Sequence, residues 1–293
     1  MNQVLLGVLS GLIVMSVLGC SPQVDVTTAR SAKQRSTSPD VSETDVAELS
    51  GGNRAFAFDL YRAVREQEGN LFYSPYSISA ALAMTYAGAR GETEREMART
   101  LHFALPQNQL HPAFNRIDLE LASRGEGAAA KDEQGFRLNV VNAIWGQEGY
   151  GFLDEYLDTL AENYGAGLRL LDFRGAAEAS RITINEWVEE QTEERIKDLI
   201  PPGAVDATTR LVLTNAIYFN AAWEKQFSES STREELFYRL DGTTVDVPMM
   251  RQTTRFGYAE GSGYQAVELP YDGGELAMLI LLPEAGSFGE FEQ

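Results

Sequence analysis

Asn70-Leu71-Phe72-Tyr73-Ser74-Pro75-Tyr76-Ser77-Ile78-Ser79 joins two kinds of structure within ten residues. Leu71-Phe72-Tyr73 is short and apolar, as in a strand, and Ser74-Pro75 stops it. Proline in a first turn is preorganised for a helix, and a serine before it is a suitable N-cap. Ile78, Leu82 and Tyr86 then fall on one helical face, until Gly88 ends the run. Upstream, Asn53 reads as an N-cap, with Ala57, Leu60, Tyr61 and Val64 on one face and Gly69 as the stop. Downstream, residues 91–101 and 110–121 carry two further helical patterns.

The period then changes. Phe136, Leu138, Val140 and Ala143-Ile144 suit a strand, 152–164 a helix, and Leu168, Leu170 and Phe173 a second strand. Ile184, Trp187, Val188 and Gln191 give a helical stripe opposite many carboxylates. Beyond Pro201-Pro202, the strand candidates are 211–219, 245–250, 256–258, 264–269 and 276–282. Helices first and strands later predict an α+β protein on largely antiparallel sheets.

The chain has 293 residues, with 24 Lys+Arg against 43 Asp+Glu, one cysteine and two histidines. A net charge of -19 argues against a phosphate backbone as partner, so no nucleic acid is expected. It also disfavours adsorption onto anionic lipid. One cysteine cannot form an intrachain disulfide or a thiolate cage, and His102 and His111 have no third partner of ligand spacing. No cofactor or metal is implied.

Met1 to Cys20 carries no charged side chain, and Val4 to Leu18 is an apolar run broken only by Gly and Ser. It is short for a membrane span and suits a signal h-region. It ends in Val17-Leu18-Gly19-Cys20, which resembles the lipobox of bacterial lipoproteins, with Cys20 as the lipid attachment site. An ordinary signal peptide is the alternative. Asn2 and Gln3 give no positive n-region, which departs from the usual pattern. Residues 21–50 hold ten Ser or Thr and no aromatic residue, which predicts a flexible tether. Residues 51–293 contain no second linker and no repeat, so one domain is expected there.

Catalytic motifs are missing. No G-x-S-x-G elbow, H-E-x-x-H or P-loop occurs. Gly125-Glu126-Gly127-Ala128-Ala129-Ala130 fits a loose dinucleotide pattern but follows a helix, so it reads as a surface loop. His102 reads as a capping or packing residue, and His111, next to Pro112, as loop. No nucleophile–base pair is visible, so an enzyme is not expected.

Three segments together resemble the serpin family. The first is Asn70 to Ser79 with Gly88-Ala89-Arg90-Gly91-Glu92-Thr93. The second is Leu213-Thr214-Asn215-Ala216-Ile217-Tyr218-Phe219 with Trp223 and Phe227. The third is Val247-Pro248-Met249-Met250, Glu268-Leu269-Pro270-Tyr271 and Leu281-Leu282-Pro283. The resemblance covers nearly all of residues 51–293. It implies the serpin fold, with many helices and three largely antiparallel sheets. It also implies an inhibitor whose exposed loop is cut by a protease and then inserts into the main sheet. Ser74, Ser77 and Asn215 match the family's shutter beneath that sheet, and Trp223 its breach. Each has a plainer reading: Ser74 as an N-cap, Ser77 as a small packing residue, Asn215 as a buried amide and Trp223 as core.

In the family the reactive loop follows the last of these motifs. No such segment precedes Gln293, so the chain is expected to be incomplete at the C-terminus, with a genuinely short protein as the alternative. The expected partner is an extracytoplasmic serine protease, or less favourably a cysteine protease, with the complete protein monomeric. A non-inhibitory serpin-like binding or scaffold protein stays open.

Overall fold

The computed structural model describes residues 26–29, 31–129 and 135–292. The leader and Cys20 lie outside the described residues.

The first helix, α1 (Glu43–Val64), starts well before the expected Asn53. Ser42 is its N-cap. The Ser42 side chain accepts from the Asp45 amide, and the Asp45 carboxylate accepts from the Ser42 amide. Asn53 lies inside the helix. The expected tether also needs correction between residues 26 and 50. Thr27–Ala29 forms a strand, β1, and Leu49 is buried in the helical core. Its Ser/Thr content resembles a solvated linker, but strand pairing and a capped helix hold it against the body.

Helices α2 (Pro75–Tyr86), α3 (Glu92–Leu101) and α4 (Gln107–Ala122) follow. Phe56, Ala83, Tyr86, Leu101, Phe103, Leu110 and Phe114 pack into one cluster between them. His111 is inside α4 and buried, not in a loop. Leu71-Phe72-Tyr73 forms no strand: the ladder that would hold it has no second strand among the described residues, and Phe72 is fully exposed.

The main sheet contains β1, β2 (Arg137–Gln147), β3 (Leu168–Leu171) and β4 (Leu211–Asn220) in the order β1-β3-β2-β4. β2 pairs antiparallel with β4 over ten positions, from Arg137↔Asn220 to Gly146↔Leu211, and parallel with β3. Helices cover both faces. On one, Trp145, Ala143 and Val212 pack with Ile184 and Trp187 of α6 (Phe173–Gln191). On the other, Ile144, Leu168 and Leu213 pack with Met84 of α2 and Leu160 of α5 (Asp154–Tyr164).

The rest is β-rich. β5 (Arg233–Tyr238) and β6 (Thr244–Met249) form a hairpin. β7 (Gly257–Gly261), β8 (Tyr264–Pro270) and β9 (Ala277–Pro283) form a three-stranded antiparallel sheet, followed by the short α7 (Phe288–Phe291). Among the described residues, three sheets, one with a parallel pair, and helices gathered on one of them give the expected α+β class.

Candidate functional site

Ser74 and Ser77 sit at the start of α2. The Ser77 amide donates to Ser74 Oγ at 3.3 Å, and Ser74 Oγ donates to Ser77 Oγ at 3.0 Å. Ser74 is thus the N-cap that its position before Pro75 suggested. Ser77 is buried, and so is Ser79, whose hydroxyl donates to Asn53 Oδ1 at 2.6 Å. These bonds fix the entry of α2, which packs against β4.

Asn215 lies in the middle of β4, where the register sets it opposite Asn142 of β2. Its Nδ2 donates to Asn142 Oδ1 at 2.6 Å. The flanking pairs are apolar, Val140↔Ile217 and Ile144↔Leu213. A cross-strand amide pair thus interrupts an apolar face of the main sheet. Among the described residues, no hydrogen bond joins this pair to Ser74 or Ser77, so the residues matched to the family's shutter form two separate polar pairs. Sequence reasoning missed Asn142. It was detectable: Leu138, Val140, Asn142 and Ile144 share a face, as do Leu213, Asn215 and Ile217, and each face carries one amide.

The opposite face carries a second polar device. Trp145 Nε1 donates to Thr214 Oγ1 at 3.0 Å inside the core. The Trp145 and Trp187 rings meet edge to face at 5.4 Å, and the Arg169 guanidinium stands 5.2 Å and 4.8 Å from their centroids. Stacked cation–π contacts of this kind hold α6 onto the sheet.

Trp223 follows β4, at the joint between the main sheet and β8. Its ring stacks on Tyr271 at 4.7 Å with 12° between planes, and the two residues form a bridge. The Glu224 amide donates to the Pro270 carbonyl at 2.9 Å and the Asp272 amide to the Ala222 carbonyl at 2.8 Å. Trp223 is therefore half-buried at a main-chain junction and is not part of a closed core.

His102 caps α3 in a left-handed conformation and contacts Asp59 Oδ2 through Nε2 at 2.7 Å, as its capping reading expected. His111 Nδ1 lies 2.7 Å from the Tyr164 hydroxyl. Burial, and next the nearby Arg90 charge, push the His111 pKa down to about 4, while burial keeps the Tyr164 hydroxyl protonated. The imidazole is neutral at pH 7 and serves packing. Among the described residues, no cluster of His, Cys, Asp or Glu could hold a metal ion, and no helix is long and apolar enough to cross a membrane.

This arrangement is a sheet whose central polar groups pair with each other, with one long strand, β4, at its edge. Residues 51–293 match the family model described as serpin, serine protease inhibitor. The chain belongs to the serpin family. It is 46% identical over 239 residues to an uncharacterized serpin-like protein of Thermococcus kodakarensis, covering 81% of this chain and 54% of that one. It is 39% identical to the leukocyte elastase inhibitor of Sus scrofa over 81% of this chain and 62% of the relative. Emu ovalbumin superposes with a TM-score of 0.77 at 31% identity, over 84% of this chain and 66% of that one. A cleaved serpin 42Da gives 0.74, also at 31% identity, over 84% and 65%. The chain thus spans between half and two-thirds of the length of these relatives.

Proposed function

We propose that the protein is a serpin-type inhibitor of an extracytoplasmic serine protease, with a cysteine protease as the lesser candidate. A reactive loop beyond the third motif is cut and enters the main sheet beside β4. The observation that carries this reading is the Asn142–Asn215 pair, a polar contact set in an apolar sheet face next to its long edge. Short polar groups can exchange hydrogen-bond partners when a strand arrives, whereas apolar side chains cannot register that arrival. The inhibitor name of the Sus scrofa relative points the same way.

The test uses the gene's full-length product and a panel of proteases. A covalent complex that survives SDS with at least one serine protease is expected. Cleavage by every member with no complex would favour a non-inhibitory binding role. Asn215→Ala removes the partner of the half-buried Asn142 amide and should cost about 1 kcal/mol of stability. It should also raise the share of inhibitor consumed as cleaved product per complex formed. An unchanged ratio would remove Asn215 from the switch.

Cys20 is proposed as the lipid attachment site, which places the protein at an extracytoplasmic membrane surface. Because strand pairing holds the body from Thr27 onward, seven residue steps separate it from Cys20. The reach is then at most about 25 Å, so the body would stay close to the membrane. Cys20→Ala should move the protein to the aqueous phase in detergent partitioning. Retention in the detergent phase would refute lipidation.

A further inference from the structure

The family match begins at residue 51, yet Thr27–Ala29 and residues 31–41 are bound to the body by specific contacts. β1 adds antiparallel to the outer edge of β3, with Thr27↔Leu170, Thr28↔Arg169 and Ala29↔Leu168. Ser31 then hydrogen-bonds Asp158 of α5. Lys33 Nζ lies 2.9 Å from Glu162 and 3.4 Å from Asp158. The Ser36 amide donates to the Glu162 carbonyl at 2.9 Å.

Asn115 of α4 reads the same segment. It is fully buried. Its Oδ1 accepts from Arg35 Nε at 2.8 Å, and its Nδ2 donates to the Ser36 carbonyl at 2.8 Å. Arg35 Nη2 also pairs with Asp118 at 2.5 Å. Gly165, at φ 61°, leaves the space that Arg35 uses: a Cβ there would stand 2.9 Å from Arg35 Cδ. The body therefore has a buried amide, a glycine notch and acidic side chains shaped to one extended stretch.

Charge fits this assignment. Helix α5 carries Asp154, Glu155, Asp158 and Glu162 and no Lys or Arg, in a chain of net charge -19. Residues 30–35 hold Arg30, Lys33 and Arg35. The attachment is also light. β1 has three residues, and Arg35 lines a cavity of about 250 Å³ together with Tyr76, Phe114, Asp118, Asn142 and Tyr164. Lys33 and its partners are half-exposed, so salt weakens them.

We propose that Val26–Val41 is a displaceable clasp, and that the β3 edge with the acidic face of α4 and α5 is a receptor for an extended basic peptide, occupied in cis. Strand addition supplies the main-chain bonds, and Asn115, Asp118 and Glu162 select a Lys-x-Arg pattern.

The test uses the full chain with Lys33→Glu and Arg35→Glu together, which drives the clasp off without touching the receptor. Thr27→Pro, which removes the β1 amide that faces Leu170 of β3, is a second way to free it. Circular dichroism checks the fold of each. A fluorescent peptide of residues 26–41 is the probe. Saturable binding is expected, at least tenfold tighter to either variant than to the unaltered chain, where the clasp competes. Amide exchange at Leu168 and Leu170 should speed up in the variants and slow again on adding the peptide. Equal affinity for altered and unaltered chains, equal binding of a scrambled peptide of the same charge, or unchanged exchange in β3 would each overturn the proposal.

Discussion

β2 and β9 are both built largely from apolar residues, yet Ile144 and Trp145 of β2 are fully buried while Leu279 and Leu282 of β9 are 62% and 61% exposed. The strands differ little in what they offer. They differ in what lies over them. β2 has α6 on one side and α2 with α5 on the other. Among the described residues β9 has β8 along one edge, and the Phe291 ring of α7 meets the Tyr264 ring of β8. A continuous apolar run states that a strand needs cover on both faces; it does not say which element gives it. The main sheet finds its cover in helices that precede or follow it closely in sequence. The β7–β9 sheet leaves β9 exposed among the described residues.

The strongest way to break this contrast is Trp145→Ala. The side chain is fully buried, donates to Thr214 and packs on Trp187. Its loss should cost about 3–5 kcal/mol, read as a large fall in the thermal or denaturant midpoint. A fall under about 1 kcal/mol would mean that the main sheet is no better packed than the bare one.

A pH experiment sharpens it. The His111 pKa of about 4 lies below the ordinary 6.5, because burial first and Arg90 second disfavour the charged ring. Between those values the unfolded chain binds more protons than the folded one, so stability rises with pH. It is whole above about pH 6.5 and declines as pH falls, by about 1.4 kcal/mol per unit and roughly 3 kcal/mol in all, until the folded ring itself titrates near 4. His111→Gln should flatten that part of the curve. The acid-driven loss should appear as faster amide exchange in α4 and α5 and leave β8 and β9 unaffected. A curve of unchanged slope in the variant would show that another group carries the effect.

Much of the covered region could be read directly from the chain. Pro75 after Ser74 marks the start of α2, and the apolar stretch 211–219 marks β4, because both signals are local. The start of α1 was not legible. Gly51-Gly52 looks like a break, but a Cβ on Gly52 would stand 2.4 Å from the His102 carbonyl oxygen. That glycine lets α3 end close against α1, a requirement set far away in sequence. The segment 26–41 failed for the same reason. Its Ser and Thr content is that of a linker, while the groups that bind it, Asn115, Asp118, Asp158 and Glu162, lie on α4 and α5. The amide pair of the main sheet was half visible: Asn215 came from the family motif, and its partner Asn142 needed the β2–β4 register. Leu71-Phe72-Tyr73 misled because apolar side chains alone do not make a strand without a neighbouring ladder.

The smallest expected effect decides how the bare region should be understood. Met278, Leu279, Ile280, Leu281 and Leu282 are exposed along β9, on both faces of an edge strand. In this chain a substitution there removes little buried area, so Leu279→Lys should change stability by about 0.5 kcal/mol or less. Its effect should be colloidal. Five contiguous apolar residues on an open edge form a template for self-association, and a lysine among them is the kind of charge that blunts such an edge. Size-exclusion chromatography of residues 21–293 should therefore show less oligomer for Leu279→Lys than for the unaltered sequence, with weaker binding of an apolar dye and an unfolding midpoint that barely moves. A loss of several kcal/mol, approaching that of Trp145→Ala, would place Leu279 inside a packed interior. It would mean that some part of this chain covers β9 as completely as α6 covers Trp145, and the contrast between the two sheets would fail.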